Sequence, residues 1–282
     1  MNVGGKLMDI NRPLVMGILN VTPDSFYEGS RCGTDNQILV KRIEKMIADG
    51  VDIIDVGGYS SRPGAADISA AEELRRLEVG IKAVKAVSQD VIMSIDTFRA
   101  DVARKCVLEW GVHIINDISG GNMDSMMFQT VADLHVPYIL MHMRGTPLNM
   151  MSLCNYGADG VLAGVMIELG RRVDELRSMG VCDIIIDPGF GFSKNLEQNF
   201  TMLDKLEEFH SFGLPLLIGM SRKSMICKTL GVQPVDALNG TTVLNTIALL
   251  HGAHILRVHD VHEAVEAVKL VGATTGGWQW TK

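Results

Sequence analysis

No apolar run in the 282-residue chain approaches the ~20 residues that a membrane-spanning helix needs, so a helical membrane protein is not expected. The opening residues, MNVGGKLMDINRP, lack the apolar stretch of a secretory signal. With no secretory route expected, the Asn-x-Thr triplets at Asn20, Asn199 and Asn239 carry no glycosylation meaning. Cysteine is scarce. Cys32, Cys106, Cys154, Cys182 and Cys227 are odd in number, widely spaced and never C-x-x-C, which fits reduced thiols in a cytoplasm better than a disulfide framework. Excess positive charge is missing too: 26 Lys and Arg stand against 33 Asp and Glu, a net charge of -7. Nucleic acid and membrane surfaces are therefore not expected partners, and an anionic ligand has to be met by a local cluster. No Pro/Ser-rich linker or composition break interrupts the chain, so one domain is expected over residues 1–282.

What remains is a single unit repeated. Short β-branched runs alternate with longer amphipathic stretches, the order of a parallel sheet with crossover helices. The expected strands are 14–20, 52–58, 91–97, 114–119, 138–143, 184–190, 216–222 and 255–260. Ser69 with Glu72 makes a capping box before a long amphipathic stretch, and glycines at 50, 180, 213 and 252 end others. Eight strands with crossovers predict an α/β fold, a single (β/α)8 TIM barrel with its strand core over about 14–260 and a C-terminal helix over about 261–275. An open doubly wound sheet is the runner-up, but no G-x-G-x-x-G follows the first strand.

Barrel active sites form at the carboxyl ends of the strands, and here nearly every strand ends in polar chemistry. Asn20, the Tyr59 to Arg62 stretch, Asp96, Asn116-Asp117, His142, Asp187, Ser221-Arg222-Lys223 and Arg257-Val258-His259 all fall there. Arg62, Arg222, Lys223, Arg257 and His259 supply positive charge, several of them after the last two strands, where barrels often hold phosphate. For Arg222 a simple surface ion pair is an equal reading. Asp96, Asn116 and Asp187 stand against these cations in an apolar mouth, and buried carboxylates need donors such as a heterocycle with a guanidine-like edge. A zinc site on His251, His254, His259 and His262 fails because His254 and His259 lie at opposite ends of one strand. An Asp96/Asp187 glycosidase pair leaves the cations unexplained. The 17 methionines read as adaptable core.

GILNVTPDSF (17–26), DVGGYSSRPGA (55–65), SIDT (94–97), IINDI (114–118), MHM (141–143), DPGFGFSKN (187–195), GMSRKSMI (219–226) and RVHDV (257–261) together resemble the dihydropteroate synthase family, in order and on all eight strand ends. The resemblance implies a transferase of folate biosynthesis. It would condense 6-hydroxymethyl-7,8-dihydropterin diphosphate with 4-aminobenzoate, release diphosphate, and be a target of sulfonamides. By similarity Asp96, Asn116 and Asp187 read the pterin edge, Lys223 donates to the ring's acceptor side, and Met141, Phe192 and Gly219 pack around it. Asn20 would hold Mg²⁺ at the diphosphate, gripped by Ser61, Arg62, Arg257 and His259. Thr22, Pro63 and Ser224 would form the aminobenzoate pocket, and Arg62, Lys223 and Asp96 carry the catalytic roles. A cytoplasmic homodimer is implied as well. Two residues depart from the family: Tyr59 where many relatives have Glu, and Ser61 where they have Thr. A pterin-binding methyltransferase barrel shares the Asp/Asn edge but has no need of the cations, and a non-catalytic pterin binder is the remaining alternative.

Overall fold

The computed structural model describes residues 1–21, 35–60 and 67–277. It begins with an antiparallel hairpin, β1 (Asn2–Val3) and β2 (Lys6–Leu7), turned at Gly4 and Gly5 with φ of +59° and +82°. Gly-Gly between two short runs is a hairpin signal, present in NVGGKL but outside the strands expected above.

Eight parallel strands follow: β3 (Leu14–Asn20), β4 (Ile53–Gly57), β5 (Ile92–Asp96), β6 (Ile114–Asp117), β7 (Tyr138–Met141), β8 (Ile184–Asp187), β9 (Leu217–Ile218) and β10 (Ile255–Val258). They pair in the order β8-β7-β6-β5-β4-β3-β10-β9, and a parallel bridge between Ile186 and Leu216 joins the two ends. The sheet is thus an α/β TIM barrel, its parallel neighbours separated by crossover helices. Among the described residues these are α1 (Asp35–Ala48), α2 (Ala70–Val87), α3 (Ala100–Trp110), α4 (Met127–Leu134), α5 (Gly160–Ser178), α6 (Leu196–Asp204), α7 (Ser224–Leu230), α8 (Leu238–Leu250) and α9 (Val261–Thr275).

Several strands end before their apolar runs do, for local reasons. β8 stops at Asp187 because Pro188 has no N–H to donate and Gly189 turns at φ +72°. The run 216–222 keeps only two residues of strand, since Lys223 N–H turns back to the Met220 carbonyl and Arg222 adopts φ +55°. The Ser69 cap of α2 is half a capping box. Its hydroxyl accepts from Glu72 N, while the Glu72 carboxylate turns to Arg75 and Arg76 instead.

Strand side chains alternate between two faces, and each face has one destination. Leu14, Met16, Ile53, Ile114, Ile139, Ile185, Leu217 and Ile255 form one buried cluster with Ile92, so every strand of the barrel sends an apolar residue to its axis. Met1, Met8 and Ile10 pack against this layer and plug the amino-terminal end. The opposite parity, Val15, Leu19, Ile54, Val56, Ile95, Ile115, Leu140, Ile186, Ile218, Leu256 and Val258 among it, lies in the larger core beneath the helices. Both faces being apolar explains why the strands read as near-continuous hydrophobic runs.

Candidate functional site

Two residues beyond the apolar axial layer, the same inward parity delivers Ile18, Asp55, Ser94, Asn116, Met141, Asp187, Gly219 and Arg257. One step further stand Asn20, Gly57 and Asp96. Register holds Asn20, Gly57, Asp96 and Asn116 side by side across β3 to β6, and Met141 beside Asp187 across β7 and β8. Seven residues expected at the site, Asn20, Asp96, Asn116, Met141, Asp187, Gly219 and Arg257, therefore face one axial space because of a single alternation. Gly57 keeps the row open: a β-carbon there would sit 3.2 Å from Asn20 Oδ1 and 3.6 Å from Asp96 Cβ.

Arg257 is the centre of this layer. Its Nε donates to Asp55 Oδ2 and its Nη2 to Asp96 Oδ2, both at 2.7 Å, and Asn116 Nδ2 donates to the same Asp55 oxygen at 3.0 Å. Burial works against the guanidinium's charge, but Asp55 and Asp96 hold its pKa above the ordinary value. Asp96 and Asp187 are both pushed up by burial, opposed by Arg257 and Lys223 respectively. Asp55 Oδ1 is buried with no hydrogen-bond partner among the described residues. Asp55 has no role among the sequence expectations, although it stands in the quoted DVGG stretch. Its signal was the inward parity, which becomes visible only once all eight strands are aligned.

Asp187 and Lys223 meet through the turn after β8. Asp187 Oδ1 accepts from Gly189 N at 2.8 Å, and Lys223 Nζ donates to the Phe190 carbonyl at 2.5 Å. The same ammonium lies 4.7 Å from the centre of the Phe192 ring, and burial lowers its pKa to about 8 against the raising effect of Asp187. Phe192 and Met141 belong to an apolar cluster above the barrel with Phe98, Ile118, Met143, Met150 and Tyr59. The outcome is a mouth with an apolar wall on one side and a charged floor of alternating sign on the other. A flat ring carrying several N–H groups suits it.

Two of the expected cations are placed differently from a simple positive rim. Arg222 forms a bidentate pair with Asp260, both bonds at 2.8 Å, and donates to the carbonyls of Pro234 and Val235, so the ion-pair reading holds for it. Burial and then Arg257 and Arg42 lower the pKa of His259 to about 4. Ser221 Oγ accepts from His259 N at 3.2 Å and faces His259 Nδ1 at 3.0 Å. Ser224 opens α7, exposed at the mouth just after Lys223.

Thr22, Ser61, Arg62 and Pro63 lie outside the described residues. Tyr59, at the start of that second loop, makes an edge contact with Phe98 at 5.0 Å, with the Arg99 guanidinium 5.4 Å from its ring centre and 4.8 Å from that of Phe98. Arg99 also pairs with the buried Glu73 and donates to the Ile68 carbonyl at 2.7 Å. An aromatic residue at position 59 thus stands against a cation.

A resident metal has few protein ligands to draw on. Among the described residues no group of three or more His, Cys, Asp or Glu is arranged to hold an ion, and His254 faces His210 and the Leu216 amide at the far end of β10 from His259. Asn20 Oδ1 nevertheless points into the space beside Gly57 that a side chain would fill. One neutral hard oxygen at an open position suits Mg²⁺ that arrives with phosphate and keeps water as its other ligands.

Fold and site together define a barrel enzyme that binds a donor-rich heterocycle against buried carboxylates at the carboxyl ends of its strands. Residues 16–259 match the pterin binding enzyme family, and the chain belongs to that family as a dihydropteroate synthase. It is 45% identical over 276 residues to the dihydropteroate synthase of Escherichia coli K12, covering 96% of this chain and 94% of that protein. Against the Synechocystis enzyme it is 42% identical over 280 residues, covering 96% and 93%. Among solved structures, Yersinia pestis dihydropteroate synthase in a sulfonamide drug complex superposes with a TM-score of 0.89 at 39% identity, covering 98% of this chain and 99% of that one. The Xanthomonas albilineans enzyme with 4-aminobenzoic acid gives 0.88 at 34% identity, covering 97% of each.

Proposed function

We propose that this chain makes 7,8-dihydropteroate and diphosphate from 6-hydroxymethyl-7,8-dihydropterin diphosphate and 4-aminobenzoate, as a transferase of folate biosynthesis. The observation that carries the reading is the convergence of Asp96, Asn116, Asp187, Lys223 and Arg257 on one axial space, a set of acceptors and donors matched to the two edges of a pterin. In this reading Asp187 and Asn116 accept and donate along the pyrimidine edge. Asp96 takes a ring N–H, Lys223 meets the acceptor side, and Met141 and Phe192 cover the faces, with Gly219 leaving room. Gly219 suits that place: a β-carbon there would meet Lys223 Nζ at 3.9 Å and Arg257 Cβ at 3.8 Å.

The diphosphate lies toward Asn20, Arg257 and His259, and the family resemblance assigns Ser61 and Arg62 to it as well. Mg²⁺ at Asn20 supplies charge neutralisation to the leaving group when bound. The chain's own residues favour a dissociative displacement. Arg62, Arg257 and Lys223 stabilise charge growing on the departing diphosphate, while Asp96 and Asp187 offer negative charge to a pterin methylene turning cationic. Thr22, Pro63 and Ser224 receive 4-aminobenzoate, and sulfonamides compete there. Exposed Leu230, Val243, Leu250 and Leu270 on α7 to α9 give an apolar outer face for a homodimer, measurable by light scattering. No helix among the described residues is long and apolar enough to cross a membrane.

The test is turnover of the two substrates with Mg²⁺. Formation of dihydropteroate, slowed by chelation of the metal, is expected, and no product under any condition overturns the reading. Deuterium on the reacting methylene should give a normal secondary isotope effect when chemistry limits the rate. A value at unity refutes the dissociative path.

A further inference from the structure

Lys194 is 1% exposed, a rare state for a lysine, and it lies outside the substrate contacts assigned above. It sits inside the turn 188–193, which coils through three left-handed positions, Gly189, Gly191 and Ser193 at φ +72°, +80° and +46°. Its Nζ donates to the Gly189 and Phe192 carbonyls and faces His142 Nδ1, each at 3.0 Å. An ammonium has three hydrogens and no lone pair, so all three are used. The ionised Glu168 can only accept, so His142 Nε2 carries the hydrogen that goes to Glu168 Oε2 at 3.0 Å, and Nδ1 is left to accept from Lys194. Glu168 accepts in turn from Arg144 Nε at 2.9 Å, and Arg144 N donates to Ser193 Oγ at 3.0 Å, returning to the same turn. Tyr156, beneath the Arg144 guanidinium at 3.9 Å, donates to the Ser193 carbonyl at 3.1 Å. Burial first and then the Lys194 charge push His142 down to about 4, which keeps the ring neutral. Against the raising effect of its partial burial, hydrogen bonds from His142 and Arg144 hold Glu168 down to about 2.

The turn thus held supports residues that the proposed function assigns to the pterin. Gly189 N fixes Asp187, Phe190 O fixes Lys223, and the Phe192 ring lies against the Lys223 ammonium. We propose that Lys194 is a positioning residue for pterin binding, holding the 188–193 turn from within while His142, Glu168 and Arg144 anchor it to α5. The inference rests on the pterin reading of the site. Among the described residues, no hydrogen bond of the circuit reaches Ser224, which is assigned to 4-aminobenzoate, so the two substrates should respond differently.

The experiment measures both Michaelis constants, and pterin diphosphate binding by calorimetry, in Lys194→Met and Glu168→Gln. Lys194→Met keeps the apolar stem and removes all three donors. A rise of about 10- to 100-fold in the pterin KM and Kd is expected, with the 4-aminobenzoate KM within twofold. Glu168→Gln, half-exposed and able to fold if Lys194→Met does not, keeps an acceptor for His142 and loses the charge, so a pterin KM rise of about three- to tenfold is expected. A pterin KM and Kd within twofold of wild type in either folded variant overturns the proposal. So does an equal rise in both Michaelis constants, which marks general damage to the barrel. Wild-type chain that binds the pterin by calorimetry but yields no product refutes the reaction and leaves the positioning test readable, whereas wild-type chain that does not bind the pterin refutes both.

Discussion

The two ends of the barrel axis differ by one step of the same alternation. Toward the amino ends of the strands the inward residues are Leu14, Met16, Ile53, Ile114, Ile139, Ile185, Leu217 and Ile255, plugged by Met1, Met8 and Ile10. Two residues on, Asp55, Ser94, Asn116, Asp187 and Arg257 replace the aliphatic side chains. The lower layer holds the frame closed by burying hydrocarbon, about 25 cal/mol for each Å² removed from water. The upper layer gives up that gain and pays instead for desolvated charge, which Arg257 offsets between Asp55 and Asp96. One layer supports stability and the other supports binding, and substitutions should separate them except where a single residue serves both.

Arg257→Met is the substitution expected to break that division. It leaves the fully buried Asp55 and the partly buried Asp96 without their shared cation, and removing one partner of a buried charge pair costs about 3–5 kcal/mol. Thermal or denaturant unfolding should show this loss alongside loss of turnover. Near-wild-type stability would mean that Asp55 and Asp96 take up protons at little cost without the arginine.

Ile139→Ala probes the lower layer alone. The side chain is fully buried on the axis, and truncation of such a residue costs about 2–5 kcal/mol of stability. Below the unfolding transition, the kinetic constants of the variant should stay within about twofold of wild type. A selective rise in the pterin KM would show that the layers are mechanically coupled.

Asp187→Asn is the counterpart in the upper layer. Pterin diphosphate binding, measured by calorimetry, should weaken by about 1–3 kcal/mol because ring donors lose their acceptor. Binding of 4-aminobenzoate should change much less. The Asp187 pKa is raised by burial, so its charged form costs stability in the fold at neutral pH. The neutral amide should therefore leave the melting temperature equal or higher, and unchanged pterin affinity would remove Asp187 from the ring site.

The alternation that builds both layers was largely readable from sequence, since eight β-branched runs ending in Asn20, Asp96, Asn116, Asp187 and Arg257 already imply a barrel with a polar mouth. Other features depend on what folding brings together. Asp55 acquires a role only by meeting Arg257, 202 positions away, and Lys194 only by meeting His142, 52 away. The lowering of the His259 pKa comes first from burial, which is absent from a sequence. Arg222 looked equally suited to phosphate or to an ion pair until Asp260, 38 residues on, was placed against it. The shortness of β9 came from a turn that its apolar run conceals.

pH sharpens the contrast between binding and frame in opposite directions. Burial lowers Lys223 to about 8 from an unfolded value near 10.4, so above pH 8 the folded chain binds fewer protons than the unfolded one. The contribution of Lys223 to stability therefore rises with pH between about 8 and 10, by the linkage rule. Pterin binding that uses the ammonium falls over the same interval, up to about tenfold per pH unit above 8. Melting temperatures of wild type and Lys223→Met should converge as pH rises, or wild type should overtake. In Lys223→Arg, whose guanidinium stays charged, the alkaline fall in kcat/KM should vanish even though the rate at pH 7 is lower. Persistence of the fall in that variant would assign it to another group, Lys194 first, since burial lowers it to about 7.

The smallest effect is expected at Tyr59, beyond the end of β4, where the strand alternation no longer dictates which way a side chain faces. Its ring rests edge-on against Phe98 beneath Arg99, an arrangement worth about 0.5–1 kcal/mol for the cation and a similar amount for the aromatic pair. Glutamate there would exchange both for an ion pair with Arg99, worth about 0–1 kcal/mol when exposed. The exchange is a net loss of about 1 kcal/mol, and Arg99 keeps its bonds to Glu73 and the Ile68 carbonyl in either case. Turnover of Tyr59→Glu should accordingly stay within about tenfold of wild type, or about 1.4 kcal/mol of barrier. Arg62→Ala, which removes a cation assigned to the diphosphate, should lose far more in the same steady-state assay. The reverse ranking would show that the charge at position 59, and not the arginine three residues on, governs how this loop serves the reaction.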